Sequence, residues 1–186
     1  VSKVETGKMF LDQIPFKVRD EITYCINMIM RDNPDSRVEL FQDVAPTVPD
    51  NVIGDPYRLR QILTNLLFNS LSTNQEGEIR LSCRLKSAIN NVVTLEFTIA
   101  DTGRVYTKAE IKKLFGDYIT NKGMRSEWSE ELRLGPILAR QLVELMGGEL
   151  NASSPAYVDN SKQEHGLKIT FNIQVHLNER IIKEID

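Results

Sequence analysis

Soft metal ligands and disulfide partners are nearly missing from these 186 residues: there are two cysteines, Cys25 and Cys83, with no CxxC spacing, and two histidines, His165 and His176. A zinc site and a disulfide framework are therefore excluded as organising features. Cys25 falls on a helical apolar stripe and Cys83 on an alternating strand face, so both read as buried free thiols, while the two histidines read as surface residues. Charge of one sign is lacking too. Lys and Arg number 23 against 26 Asp and Glu, and the net charge of −3 supplies no general field for nucleic acid or an anionic membrane. No apolar run approaches the roughly 20 residues of a membrane span, and no signal sequence opens the chain. The expectation is a cytoplasmic domain with no nucleic acid and no direct membrane contact, compatible with a membrane-anchored parent. No internal repeat or low-complexity segment appears. What is present is 41% hydrophobic residues, enough to bury one sizeable core.

Hydrophobic spacing supplies the elements. Residues 1–11 are short and polar and read as the tail of a helix that begins upstream, with the domain proper over 12–186. Val18, Ile22, Cys25, Ile26, Ile29 and Met30 recur at spacings of three and four and, with Pro15 in the first turn, predict a helix over 16–32. Val38 to Val44 suits a strand, 45–54 a Pro-containing loop, and Asp55-Pro56 a helix start. The helix that follows, over 56–72, carries Leu59, Ile62, Leu63, Leu66, Leu67 and Leu71 on one side. Ile79, Leu81, Cys83 and Leu85 alternate, as do Val93, Leu95, Phe97 and Ile99 beyond a turn at 88–91, which predicts an antiparallel pair. Residues 108–114 look helical, 116–134 read as a long mobile polar loop, and 136–147 as a third substantial helix stopped by Gly147-Gly148. Strands near 149–153 and 166–176 flank a polar turn. The predicted fold is an α+β two-layer sandwich, a mixed and mostly antiparallel sheet of about five strands with three helices on one face.

Two places on this frame carry chemistry. Asn65 and Asn69 are four apart, hence on one side of their helix, about 100° from the middle of the leucine stripe. Amides at that edge either offer oxygen to a hard cation such as Mg²⁺ or cap neighbouring backbone. Asp101-Thr102-Gly103 ends an apolar strand with a carboxylate and a flexible joint, a layout for accepting hydrogen bonds from a ligand amine or for an ordinary Asp turn.

Order and spacing narrow these alternatives. Gly54-Asp55-Pro56-Tyr57-Arg58-Leu59-Arg60-Gln61-Ile62-Leu63-Thr64-Asn65-Leu66-Leu67-Phe68-Asn69-Ser70 is similar to a G-D-P-x-R-[LI]-x-Q-[IV]-L-x-N-L-x-x-N-A motif. Ser2 to Lys8 is similar to S-K-[IL]-E-x-G-K, Asp101-Thr102-Gly103 to a first glycine box, Phe115 and Tyr118 to paired aromatics before a lid, and Leu142 to Leu150 to the helix end after a second glycine box. Taken together the chain resembles the ATP-binding catalytic domain of histidine kinases, in the superfamily of gyrase, Hsp90 and MutL, and most of all the hybrid sensor kinases. The resemblance implies that Asn69 holds Mg²⁺ against the triphosphate, that Asn65 is the catalytic residue orienting water or the metal shell, and that Asp101 accepts from the adenine amine. Gly103 would allow close backbone approach to the nucleotide, Gly135 would belong to the second glycine box, and 116–134 would be the ATP lid. The implied reaction is phosphoryl transfer from ATP to a histidine on a dimerisation domain. The implied partners are that domain, through whose upstream helices the parent forms a homodimer, and a receiver domain.

The departures from the pattern fall on nucleotide contacts. Where the pattern continues A-x-K-[FY]-T, this chain has Ser70-Leu71-Ser72-Thr73-Asn74, so a phosphate-facing lysine is replaced by Ser72. The first glycine box carries Val105 at its second glycine, with backbone strain expected there if glycine-like angles persist, and the second box reads Glu131-Leu132-Arg133-Leu134-Gly135, keeping only Gly135. One charged hydrogen bond to phosphate is worth about 1.5–3 kcal/mol, and a loss of about 4 kcal/mol turns a micromolar site into a millimolar one. Arg104 or Arg133 would recover part of this by meeting phosphate. The expectation is a degenerate module with weak or no ATP binding and a regulatory or docking role; the alternative is a working ATP·Mg²⁺ kinase domain.

Overall fold

The computed structural model describes residues 4–5, 8–9, 11–116 and 134–179. In chain order the elements are β1 (Val4–Glu5), β2 (Lys8–Met9), β3 (Ile14–Lys17), α1 (Val18–Asp32), β4 (Arg37–Val44), β5 (Asn51–Gly54), α2 (Pro56–Thr73), β6 (Glu76–Ile89) and β7 (Val92–Asp101). They continue with α3 (Lys108–Leu114), α4 (Gly135–Leu145), β8 (Leu150–Ser153), β9 (Tyr157–Val158), β10 (Glu164–His165) and β11 (Lys168–Leu177).

Period-2 patterning assembles the sheet. Leu81, Cys83 and Leu85 of β6 stand opposite Ile99, Phe97 and Leu95 of β7, which in turn stand opposite Ile169, Phe171 and Ile173 of β11. These rows make one apolar face, and Phe97 and Phe171 stack across it with ring centroids 5.0 Å apart. The intervening Arg84 and Glu96 face the other way and form an ion pair at 2.5 Å. The seven-stranded sheet runs β3-β5-β11-β7-β6-β4, with β8 and β5 sharing one edge of β11 at its opposite ends. Only β4 and β6 pair in parallel, joined by the crossover that contains α2. Leu59, Ile62, Leu63, Leu66 and Leu67 of α2 are fully buried, as are Ile22 and Cys25 of α1 and Val143 of α4, so these three helices cover the apolar face.

The mixed, mostly antiparallel sandwich agrees with the sequence reading, and the differences are local. The helix expected from residue 16 starts at Val18, because Ile14–Lys17 pairs with β5 as an edge strand. Pro15 lacks an N–H and so suits an edge better than a helix interior. The stretch 45–54 contains β5, too short at four residues to show alternation. These two strands raise the count from about five to seven. The described part of 1–11 forms an antiparallel pair, Val4–Glu5 with Lys8–Met9, where a helix tail was expected; so short a segment is below the length that holds a helix without a packing partner. The turn after β6 uses Asn90 and Asn91 with φ of 50° and 64°, the left-handed pair of a type I′ hairpin. Residues 117–133, and with them Tyr118, Glu131, Arg133 and most of the expected lid, lie outside the described residues. Both cysteines are free and buried, and burial pushes each thiol up to about 12. Among the described residues no helix is long and apolar enough to cross a membrane.

Candidate nucleotide site

Helix α2 sets one wall. Asp55 caps its first turn by accepting from the Arg58 N–H at 3.0 Å, and Pro56 occupies the position where no N–H is needed. Burial of the leucine stripe against β6 and β7 then fixes the rotation of the helix. It brings Asn69 to 6% exposure and Asn65 to the half-buried flank. The Nδ2 atoms of Asn65 and Asn69 are the buried side-chain polar atoms without a hydrogen-bond partner among the described residues. An unmet buried amide costs about 1–3 kcal/mol, so these two, one helical turn apart, are groups whose partners must come from outside the described residues. Helix α4 closes on the same place: a Cβ on Gly135 would stand 3.5 Å from the Asn65 carbonyl oxygen and 3.7 Å from its Cβ. The positive end of the α4 dipole thus begins beside Asn65.

The last turn of α2 is turned in on itself. The Ser72 hydroxyl donates to the Asn69 carbonyl at 3.0 Å, the Thr73 hydroxyl to the same carbonyl at 3.0 Å, and Asn74 Nδ2 to the Ser70 carbonyl at 2.6 Å. These side chains satisfy carbonyls that a helix end leaves open. Ser72, at the lysine position of the resembling pattern, therefore projects no charge and little reach.

The end of β7 sets the other wall. Asp101 is 2% exposed; its Oδ1 accepts the N–H of Gly103 at 2.9 Å and that of Leu167 at 3.3 Å. Burial holds its carboxyl above the ordinary carboxylate range, opposed by those two N–H groups and by the Asn74 and Ser70 side chains. A Cβ on Gly103 would fall 1.7 Å from Asn74 Oδ1, so the side of Gly103 where a side chain would go is filled by this chain's own amide. Thr102 is tied to β6, its hydroxyl accepting from the Glu78 N–H at 2.9 Å.

The structure brings Asn65, Asn69 and Gly135 together on one side and Asp101 and Gly103 on the other, joined by Ser70 and Asn74. Val105 is 38% exposed, and positive φ among described non-glycine residues occurs only at Asn90, Asn91 and Lys162, so the strain expected at Val105 is absent. Arg104, a candidate phosphate partner, is engaged elsewhere: it pairs with Glu110 at 2.6 Å and lies over the Tyr106 ring, 3.8 Å from its centroid. Glu110 also closes a capping box with Thr107 at the start of α3, a signal readable in the T-x-x-E spacing. Ser70 and Asn74 escaped sequence reasoning because their proximity to Asp101 depends on packing between α2 and β7. No group of three His, Cys, Asp or Glu that could hold a metal occurs among the described residues.

The class that this fold and these walls define is matched by comparison. The family model of histidine kinase-, DNA gyrase B- and HSP90-like ATPases aligns with residues 54–177, and the chain belongs to that family. Among curated relatives, it is 32% identical over 98% of its length to the signal transduction histidine-protein kinase BarA of Escherichia coli (strain K12). It is 33% identical over 82% of its length to the sensor histidine kinase GacS of Pseudomonas protegens. It spans 19% and 17% of those two proteins, so it corresponds to one segment of each. Its fold is that of the catalytic domain of histidine kinase ThkA, with TM-score 0.63, 18% identity, and coverage of 87% of this chain and 96% of that one. It also matches full-length ShkA, solved with AMPPNP, with TM-score 0.68, 20% identity, and coverage of 90% of this chain and 32% of that one.

Proposed function

We propose that this domain is the catalytic-domain module of a hybrid sensor histidine kinase in two-component signalling, and that it binds ATP·Mg²⁺ weakly and serves chiefly in regulation and docking. The observation that carries the weak binding is the inward turn of Ser72: no cation extends from the end of α2, and the hydroxyl there is spent on the Asn69 carbonyl. The unpartnered amides support a retained nucleotide site, because a half-turn of each carboxamide offers either an oxygen to a hard cation or an N–H to a phosphate oxygen. Asn69 would hold Mg²⁺, which when bound neutralises phosphate charge. Asn65 would orient water or the metal shell beside the α4 dipole, and Asp101 would accept from the adenine amine and so prefer adenine to guanine. Segment 1–11 would be the tail of the upstream dimerisation helices, through which the parent forms a homodimer, and a receiver domain would be the further partner. The same unpartnered amides favour the second reading, an active kinase domain that phosphorylates a histidine on its dimerisation domain.

Calorimetric titration with ATP and Mg²⁺ separates the two. The weak reading expects a dissociation constant no tighter than about 100 μM, near −5.5 kcal/mol. Ser72→Lys is expected to tighten it by about tenfold or more, the worth of one charged hydrogen bond. Low-micromolar binding by the unaltered chain overturns the weak reading and favours the active kinase.

A further inference from the structure

The wall that carries Asp101 and Gly103 is held from behind by a residue that no pattern in the sequence singles out. The Ser154 hydroxyl, at the turn after β8, accepts the Tyr106 N–H at 2.9 Å and donates to the Gly166 carbonyl at 2.5 Å. Gly166 in turn donates its N–H to the Gly103 carbonyl at 2.7 Å, and its neighbour Leu167 donates to Asp101 Oδ1 and accepts from the Asp101 N–H at 3.1 Å. Ser154 thus ties the far end of loop 103–106 to the Gly166-Leu167 segment, which holds Gly103 and grips the carboxylate. One hydroxyl supplies one donor and accepts one proton here, so both of its roles are used. Removing it frees the Tyr106 N–H and leaves residues 104 and 105, both exposed, with Arg104 leaning on a surface pair to Glu110.

We propose that Ser154 is a positioning residue for the nucleotide site: through Tyr106 and Gly166 it holds loop 103–106, and with it the Asp101 carboxylate and the Gly103 backbone, in the register that discriminates a purine amine. The proposal rests on the nucleotide reading given above. A displacement of 1 Å at a positioned acceptor is enough to weaken a hydrogen bond that depends on direction. Ser154 acts through the Tyr106 N–H and the Gly166 carbonyl, so its effect falls on discrimination.

The experiment compares Ser154→Ala and Ser154→Thr with the unaltered chain in two readouts. Amide exchange of Tyr106, followed by NMR without ligand and referenced to the Leu95 amide in the sheet centre, is expected to be at least tenfold faster in Ser154→Ala and restored in Ser154→Thr, which keeps the hydroxyl. NMR titrations with ATP and with inosine triphosphate, which has a carbonyl in place of the amine, give a preference ratio in which any change in folded fraction cancels. That ratio is expected to fall at least threefold in Ser154→Ala and to return in Ser154→Thr. Unchanged Tyr106 exchange, or faster exchange with an unchanged ratio, overturns the proposal. If the unaltered chain binds neither nucleotide, the nucleotide reading is what falls, and the ligand-free exchange distinguishes that result from failure of the clip.

Discussion

The carboxylate of Asp101 takes N–H groups from Gly103 and Leu167 and has Ser70 and Asn74 close by, whereas across the site the amide nitrogens of Asn65 and Asn69 take part in no hydrogen bond among the described residues. The Asp101 wall is finished by the protein itself. The asparagine wall has unmet amides, and the C-terminal end of α2 next to it has closed over its own carbonyls through Ser72 and Thr73. A pre-organised wall confers selectivity at little entropic cost on binding. On the proposed reading, an unfinished one would await a ligand to satisfy it and, without a cation, would hold an anionic ligand loosely. On the proposed nucleotide reading, adenine recognition and phosphate affinity would be separable in this domain.

Substitutions test that contrast. The largest effect is expected from Gly166→Ala. Gly166 has φ of +79°, and a Cβ there would stand 1.6 Å from the Asp101 carbonyl oxygen, backbone that cannot step aside without breaking the end of β7. Urea denaturation is expected to show a loss of about 3 kcal/mol or more. Gly103→Ala is expected to cost only about 1–2 kcal/mol, since the obstructing atom is the end of the Asn74 side chain, which can swing away by giving up its hydrogen bonds to the Ser70 carbonyl and Asp101. Equal losses at the two glycines would show that the Asp101 wall is not the rigid part.

Asp101→Asn sharpens the comparison through pH. Burial raises the folded-state pKa of Asp101 above its ordinary 3.8, so the folded state binds the proton more tightly than the unfolded one. Stability from this group is then full below 3.8 and lost as pH rises through the folded value. Asp101→Asn, which keeps an acceptor for Gly103 and Leu167, is expected to be more stable than the unaltered chain at neutral pH, the advantage disappearing as pH falls to the ordinary carboxylate range. Parallel stability curves over that range would mean that the carboxylate is not desolvated.

The smallest effect on stability is expected at the open wall. Asn69→Ala removes a buried amide whose nitrogen is already unpartnered, so the ligand-free chain is expected to change by less than about 1 kcal/mol in urea. Mg²⁺-dependent tightening of ATP binding is expected to vanish in the same variant. A large loss of stability would reveal a structural hydrogen bond in place of a ligand-facing amide.

Features that depend on neighbours in the chain were legible from residues alone. The leucine stripe of α2, the alternation of β6, β7 and β11, the cap at Asp55 and the asparagine pair four apart are all fixed by spacing, because helix and strand periods are properties of the backbone. Short strands were not legible: β3 and β5, four residues each, acquire their conformation only by pairing with each other and with β11. The same holds for the site. Asp101 could be picked out by the chain break it makes at Gly103, but the residues that hold it come from positions 66 residues away at Leu167 and 48 residues beyond Tyr106 at Ser154. Nothing in local composition distinguishes Ser154 from Ser153; the strand pairing of β8 with β11 decides which of the two hydroxyls faces loop 103–106.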